Sequence, residues 1–208
     1  MTNNINHSKP TVAIANISAS IVLMQVCLML LSWIITAAWP ESSVRSMLSS
    51  DGIRWLFGTF SKNVFSVGFS WLFLLSIGAG ACKSSGLWRG VRSFRKLDYR
   101  ERAALRFVFA ELFIMVSSVC ILAFFPHAVL LGVAGQLFPS SFSEGLVPAI
   151  AFMMVACSLT YGMAAGQLAS VSDCFMSLLY GIKDFSSLFV LYILLSEFYC
   201  SICYVFII

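Results

Sequence analysis

Two carboxylates stand inside stretches otherwise suited to lipid. Glu197 lies twelve residues into the apolar run 185–208, and Glu111 lies near the start of the run 107–125. A charged side chain at the bilayer centre costs about 2.5–3.5 kcal/mol on insertion scales, so such groups persist where they find a partner, bind a cation or carry a proton. Glu197 has no basic residue in its own run. It therefore needs a partner from another element, or a proton. Glu111, one turn inside its run, has an easier escape to interfacial water or to a loose pair with Arg106. With the neighbouring serines Ser117 and Ser118, these two glutamates are the candidate substrate- or proton-linked groups.

Other chemistries have little to work with. The chain has two histidines, His7 and His127, and His7 falls in the polar N-terminal stretch. No metal ligand set, His-based relay or cofactor motif can be assembled: G-x-S-x-G, H-E-x-x-H, the Walker loop and the dinucleotide fingerprint are all missing. Neither catalytic residues nor cofactors are expected, and the chain does not read as an enzyme. Seven cysteines are an odd number, most of them inside apolar runs. Cys200 and Cys203 form a single C-x-x-C within a membrane-like stretch, where small packing residues are the simpler reading.

The elements that must position Glu111 and Glu197 follow from composition. Of 208 residues, 60% are hydrophobic and 11% charged, with a mean hydropathy of +0.92. Soluble domains are nearer about 45–50% apolar and about 25% charged. The polar surface is too small to solvate a globule of this length. The expected fold is an all-α integral membrane protein, a single membrane domain over 1–208. It has about five transmembrane helices, at 12–39, 64–82, 107–125, 146–165 and 185–208. The run 12–39 is too long for a signal peptide.

Charge orients these spans. Eight of the thirteen basic residues fall within 83–106 against two acidic ones, a net +6, while the remainder of the chain carries −2. Flanked by apolar runs, this is a cytoplasmic loop obeying the positive-inside bias, suited to anionic headgroups rather than to nucleic acid. The N-terminal tail 1–11 is then cytoplasmic and the segment 41–63 external, in a multi-pass protein of the plasma (inner) membrane. A single cysteine placed near Arg95 in a cysteine-free background is expected to resist impermeant thiol reagents in intact cells; labelling from outside would reverse the orientation.

Two segments break the pattern. Within 41–63, Ile53, Leu56, Phe57 and Phe60 recur at helical spacing, which predicts a helix of about ten residues on the membrane surface, capped by Ser50 or Asp51. Between Pro126 and Pro139 the apolar stretch is eleven residues, too short to span, and reads as a re-entrant arm or an interfacial connector. A polar patch, Ser143-Glu144-Gly145, then precedes a span with Pro148 in its first turn. The small residues Gly78-Ala79-Gly80-Ala81 point to close helix packing. The wholly apolar ending 203–208 fits a last helix that just reaches the far interface, or a chain that is part of a longer one.

Leu48-Ser49-Ser50-Asp51-Gly52-Ile53-Arg54-Trp55, followed by Asn63, resembles the L-S-P-E-G-L-R-W segment with its later Asn in the AbgT family, the p-aminobenzoyl-glutamate transporters. Gly78-Ala79-Gly80-Ala81-Cys82-Lys83-Ser84-Ser85-Gly86-Leu87 resembles that family's G-V-G-V-A-E-x-S-G-L. Ser143 to Pro148 and Tyr161-Gly162 look like its S-x-x-x-x-I-V-P and Y-G. The resemblance implies secondary active transport of folate-catabolite-like substrates or drugs. Family chains are about twice this length, so it also implies an incomplete form of about half length. The family's membrane aspartate has no counterpart: aligned on Ser118 and Pro126, its place holds Val119. This chain alone is therefore expected to transport poorly, and to work as a homo-oligomer or with a second membrane chain. The alternative is a non-transporting scaffold or accessory subunit packed against another chain.

Overall fold

The computed structural model describes residues 9–93, 97–124 and 141–207, and every regular element among them is an α-helix. In chain order these are α1 (Lys9–Ala38), α2 (Ser50–Val64), α3 (Val67–Ser84), α4 (Leu87–Arg92), α5 (Tyr99–Phe124), α6 (Ser141–Ala164), α7 (Val171–Asp184) and α8 (Ser186–Phe206). Among the described residues, five stretches are long and apolar enough to cross a membrane: Thr11–Ala38, Ser50–Ser84, Tyr99–Leu122, Phe142–Ala164 and Ser186–Phe206. The protein is an all-α membrane protein, as its composition requires. The segment between Pro126 and Pro139 lies outside the described residues.

Several boundaries differ from those expected. The cap of α2 is Ser49: its Oγ accepts from the Gly52 N–H at 3.1 Å, so Ser50 and Asp51 are already helical. Ser49→Ala is expected to cost about 1 kcal/mol in detergent unfolding and Ser50→Ala much less; equal effects would place the cap elsewhere. The basic stretch is largely helical, holding α4 and the first two turns of α5. Glu111 is consequently three turns inside its helix, not one. The polar patch Ser143-Glu144-Gly145 belongs to α6, which puts Pro148 in the second turn. In each case apolarity marked where a helix meets lipid, whereas backbone hydrogen bonding carries the helix on into water.

The chain divides into two compact units, Met1–Ser70 with Ser186–Ile208, and Trp71–Phe185. In the first, α1 and α2 both pack on α8. Gln25 Nε2 donates to Ser201 Oγ at 2.8 Å, and the Arg45 N–H donates to the Val205 carbonyl at 3.0 Å. Helix α2 runs antiparallel to α8: Trp55 stacks on Tyr204 with ring centroids 4.3 Å apart, Asn63 meets Glu197, and Ser66 meets Tyr192. The packed face of α2 is not the apolar one. Ile53, Phe57 and Phe60 are exposed, while Gly52, Trp55, Thr59 and Asn63 turn inward. At the start of that face a side chain at position 52 would collide with the Ser46 and Met47 carbonyls, which is why glycine stands there. Packed antiparallel along α8, with Asn63 level with the middle of that helix, α2 lies beside a membrane-length helix rather than flat on the membrane surface as its periodicity suggested, and its exposed apolar stripe is left for lipid.

In the second unit, Leu87 of α4, Ala104, Leu105 and Val108 of α5, and Cys157 and Tyr161 of α6 form one buried cluster. The glycine-rich end of α3 packs in two directions. A side chain at Gly78 would press on Met154 and the Ala151 carbonyl of α6, and one at Gly80 would strike the backbone of Gly181 in α7. Beside that crossing, Lys83 pairs with Asp184 at 2.8 Å. Helix α7 opens with a capping box, the Ser170 Oγ accepting from the Asp173 N–H and Asp173 accepting from the Ser170 N–H. These bonds from Ser170 hold the Asp173 carboxyl below the usual aspartate range.

Candidate functional site: a helix break facing Glu197

Helices α2 and α3 are separated by Phe65 and Ser66 alone. Phe65 leaves the helical region (φ −83°, ψ 51°), with its N–H still bonded to the Ser61 carbonyl. A break in a helix frees backbone groups that need new partners in lipid. Here Ser196 of α8 supplies one, its Oγ donating to the Asn63 carbonyl at 2.6 Å. The Ser66 and Tyr192 hydroxyls lie 2.5 Å apart on the far side of the break.

Glu197 is the twelfth of the 21 residues of α8. At 1.5 Å per residue it sits roughly 15 Å from either end of the helix, near the middle of a membrane crossing. Asn63 Nδ2 donates to its Oε2 at 3.3 Å and lies 3.5 Å from Thr59 Oγ1. The other oxygen, Oε1, is buried with no hydrogen-bond partner. One turn along α8, Ser201 holds the amide nitrogen of Gln25, whose Oε1 is likewise buried and unpartnered. Buried polar atoms in folded proteins are almost always satisfied, so these two unpaired acceptors, one on α1 and one on α8, are where a proton or a bound polar group would be accepted.

Beside this pair opens a cleft of about 710 Å³. Lys62, Asn63, Ser66, Tyr192 and Ser196 contribute its polar groups, and Leu195, Phe198 and Ile202 part of its apolar wall. Its size lies within the range of about 300–1,000 Å³ typical of small-molecule pockets, and a few polar groups in an apolar lining are what such pockets use to orient a ligand. Glu197 does not itself line the cleft; its carboxyl lies behind Asn63, whose amide links it to the lining.

The other candidates are placed differently. Glu111, Ser117 and Ser118 lie on α5 in the second unit. Glu111 makes no ion pair with Arg106; its Oε2 is buried without a hydrogen-bond partner. Ser118 is exposed and turns back on its own helix, donating to the Ile114 carbonyl at 2.9 Å. Ser117 is half-buried on the same helix. Among the described residues no cluster of His, Cys, Asp or Glu could hold a metal ion. Sequence reasoning did not single out Gln25, Ser66, Tyr192, Ser196 or Ser201. A signal was available: Tyr192, Ser196 and Cys200 follow one face of an otherwise apolar helix at intervals of four.

No family model and no curated protein matches the chain. Among solved structures it is similar in fold to the Alcanivorax borkumensis YdaH transporter, with a TM-score of 0.76 over 92% of this chain and 71% of that one. The architecture is that of a solved membrane transporter. Sequence identity to YdaH is 13%, so the likeness lies in the course of the backbone. The side-chain chemistry at Glu197 rests on this chain's own geometry.

Proposed function

We propose that the protein is a transporter of AbgT type in the plasma (inner) membrane, with its N-terminus cytoplasmic. It carries p-aminobenzoyl-glutamate, or a related folate-catabolite-like compound or drug, by secondary active transport. The observation that carries this reading is the half-satisfied Glu197 carboxyl at a helix break beside a cleft, in a fold shared with YdaH. Broken helices near the bilayer midplane are where secondary transporters place their sites. The motifs of Leu48 to Leu87 supply the substrate class, and the cleft suits it: Lys62 at the edge can meet a carboxylate, and Tyr192 and Tyr199 can flank an aromatic ring. Glu197 exchanges the coupling proton, and Asn63 holds its carboxyl in place.

This chain covers 71% of the YdaH chain, and the working unit in this reading includes a second copy or a second membrane chain. The test is uptake of labelled p-aminobenzoyl-glutamate into liposomes under an imposed pH gradient. One preparation holds this chain alone; the other holds the chain co-expressed with the segments that full-length family members add. Saturable, gradient-dependent uptake is expected in the second and little in the first. No uptake in either, with insertion verified, overturns the transport reading.

A further inference from the structure

A polar hollow of about 380 Å³ lies within the first unit, where the ends of three helices meet. Thr36, third from the end of α1, and Tyr204, third from the end of α8, form two of its walls. Ser49 and Asp51 close it at the start of α2, and the connector before α2 adds Arg45 and Ser46. It shares no residue with the cleft beside Glu197. Helices α1 and α8 are both of membrane length, so a hollow at their ends sits at headgroup depth. Trp39, 68% exposed just past α1, is the residue type that settles at that level.

Three observations point to a ligand. Ser46 lines the hollow and is 7% exposed, and its Oγ is buried with no hydrogen-bond partner. Buried hydroxyls in folded proteins nearly always have one. The N-terminus of α2 also opens here, where Ser49 caps the Gly52 N–H and the first-turn amides carry the positive end of the helix dipole. Finally, Arg45 and Asp51 line the same hollow, yet among the described residues they form no ion pair with each other. The Arg45 guanidinium lies instead over the Tyr204 ring, 5.8 Å from its centroid.

We infer that this hollow binds a zwitterionic phosphoethanolamine group, carried as the headgroup of a phospholipid. The phosphate rests on Arg45 and the start of α2, and the ammonium on Asp51. The opposed charges argue for the occupant. A purely anionic group would meet the Asp51 carboxylate, and a purely cationic one would meet Arg45. A group bearing both signs pairs with both, and its phosphate gives the Ser46 hydroxyl an oxygen to donate to. The depth of the hollow, at the ends of two membrane-length helices, argues for a lipid as the source.

The test is native mass spectrometry of the full chain, delipidated in detergent and titrated with dioleoyl phosphatidylethanolamine, phosphatidylglycerol or phosphatidylcholine. Free phosphoethanolamine serves as the competitor. Phosphatidylglycerol lacks the cation, and the choline ammonium has no N–H to donate to Asp51. The wild type is expected to favour phosphatidylethanolamine over both by about fivefold. D51N should erase that preference, and R45Q should weaken all three lipids by on the order of fivefold. Both side chains are exposed, so helicity should be retained. S46A should weaken phosphatidylethanolamine by about threefold with no fall in melting temperature, since the hydroxyl holds nothing within the protein. R54Q removes an exposed cation of α2 outside the hollow and should change none of these affinities. Equal affinity for the three lipids in the wild type overturns the site. So does a preference that survives D51N, or a loss in R54Q equal to that in R45Q. Competition by free phosphoethanolamine at the lipid's own concentration would overturn the lipid as its source.

Discussion

In the co-expressed preparation, Glu197→Gln is expected to reduce pH-gradient-driven uptake to the background of empty liposomes while leaving the helices around it assembled. Glutamine keeps the shape and still accepts from Asn63 Nδ2 through its carbonyl oxygen, but it cannot exchange a proton. Stability should fall by less than about 1 kcal/mol, since the neutral replacement keeps the hydrogen bond. Exchange of labelled for unlabelled substrate without a gradient should survive in this variant, which separates loss of coupling from loss of binding. Asn63→Leu should behave differently. It removes the partner of a carboxyl whose other oxygen is already unpaired, so a destabilisation of about 1–3 kcal/mol is expected in detergent unfolding. Gradient-driven uptake by Glu197→Gln at the rate of the unsubstituted chain would sink the coupling role.

The second large effect is structural. Gly80→Ala should destabilise the protein by about 3 kcal/mol or more, at the upper end of what overpacking does elsewhere. The added methyl would overlap the Gly181 Cα and N, and a methyl on Gly181 would overlap the Ser76 carbonyl. These are backbone atoms, which cannot rotate away as a side-chain tip would. Helices α3 and α7 could accommodate the methyl only by separating, with loss of the contacts on both sides of the crossing. Gly58→Ala is the control: its site in α2 has nothing within 4 Å, and alanine in a helix interior is favoured by roughly 0.5–1 kcal/mol. Lys83→Ala, which breaks the neighbouring exposed pair with Asp184, should leave thermal unfolding nearly unchanged. Unchanged thermal unfolding of Gly80→Ala would show that the crossing is looser than the glycine pair requires.

Composition and hydropathy by themselves determined the helical membrane class and the approximate positions of the five spans, because lipid leaves a backbone few alternatives. They also marked Glu197 as anomalous, since a carboxylate in a long apolar run is visible without coordinates. The stripe at Gly78 to Ala81 was legible as packing for the same kind of reason: small residues in lipid have little other use. Tertiary structure alone decided what those features meet. Gly78 and Gly80 serve two different helices, which a one-dimensional pattern cannot separate. The apolar face of α2 read from periodicity is largely exposed, and the face that packs on α8 is the one carrying Trp55, which stacks on Tyr204, and Asn63, which meets Glu197. Periodicity identifies a helix and its two faces, but in a membrane both lipid and protein accept the apolar one. Asn63 lies 134 positions from Glu197, and Gln25 lies 176 from Ser201. Such pairs are created by which helices pack together, and a single sequence contains no term that couples residues so far apart.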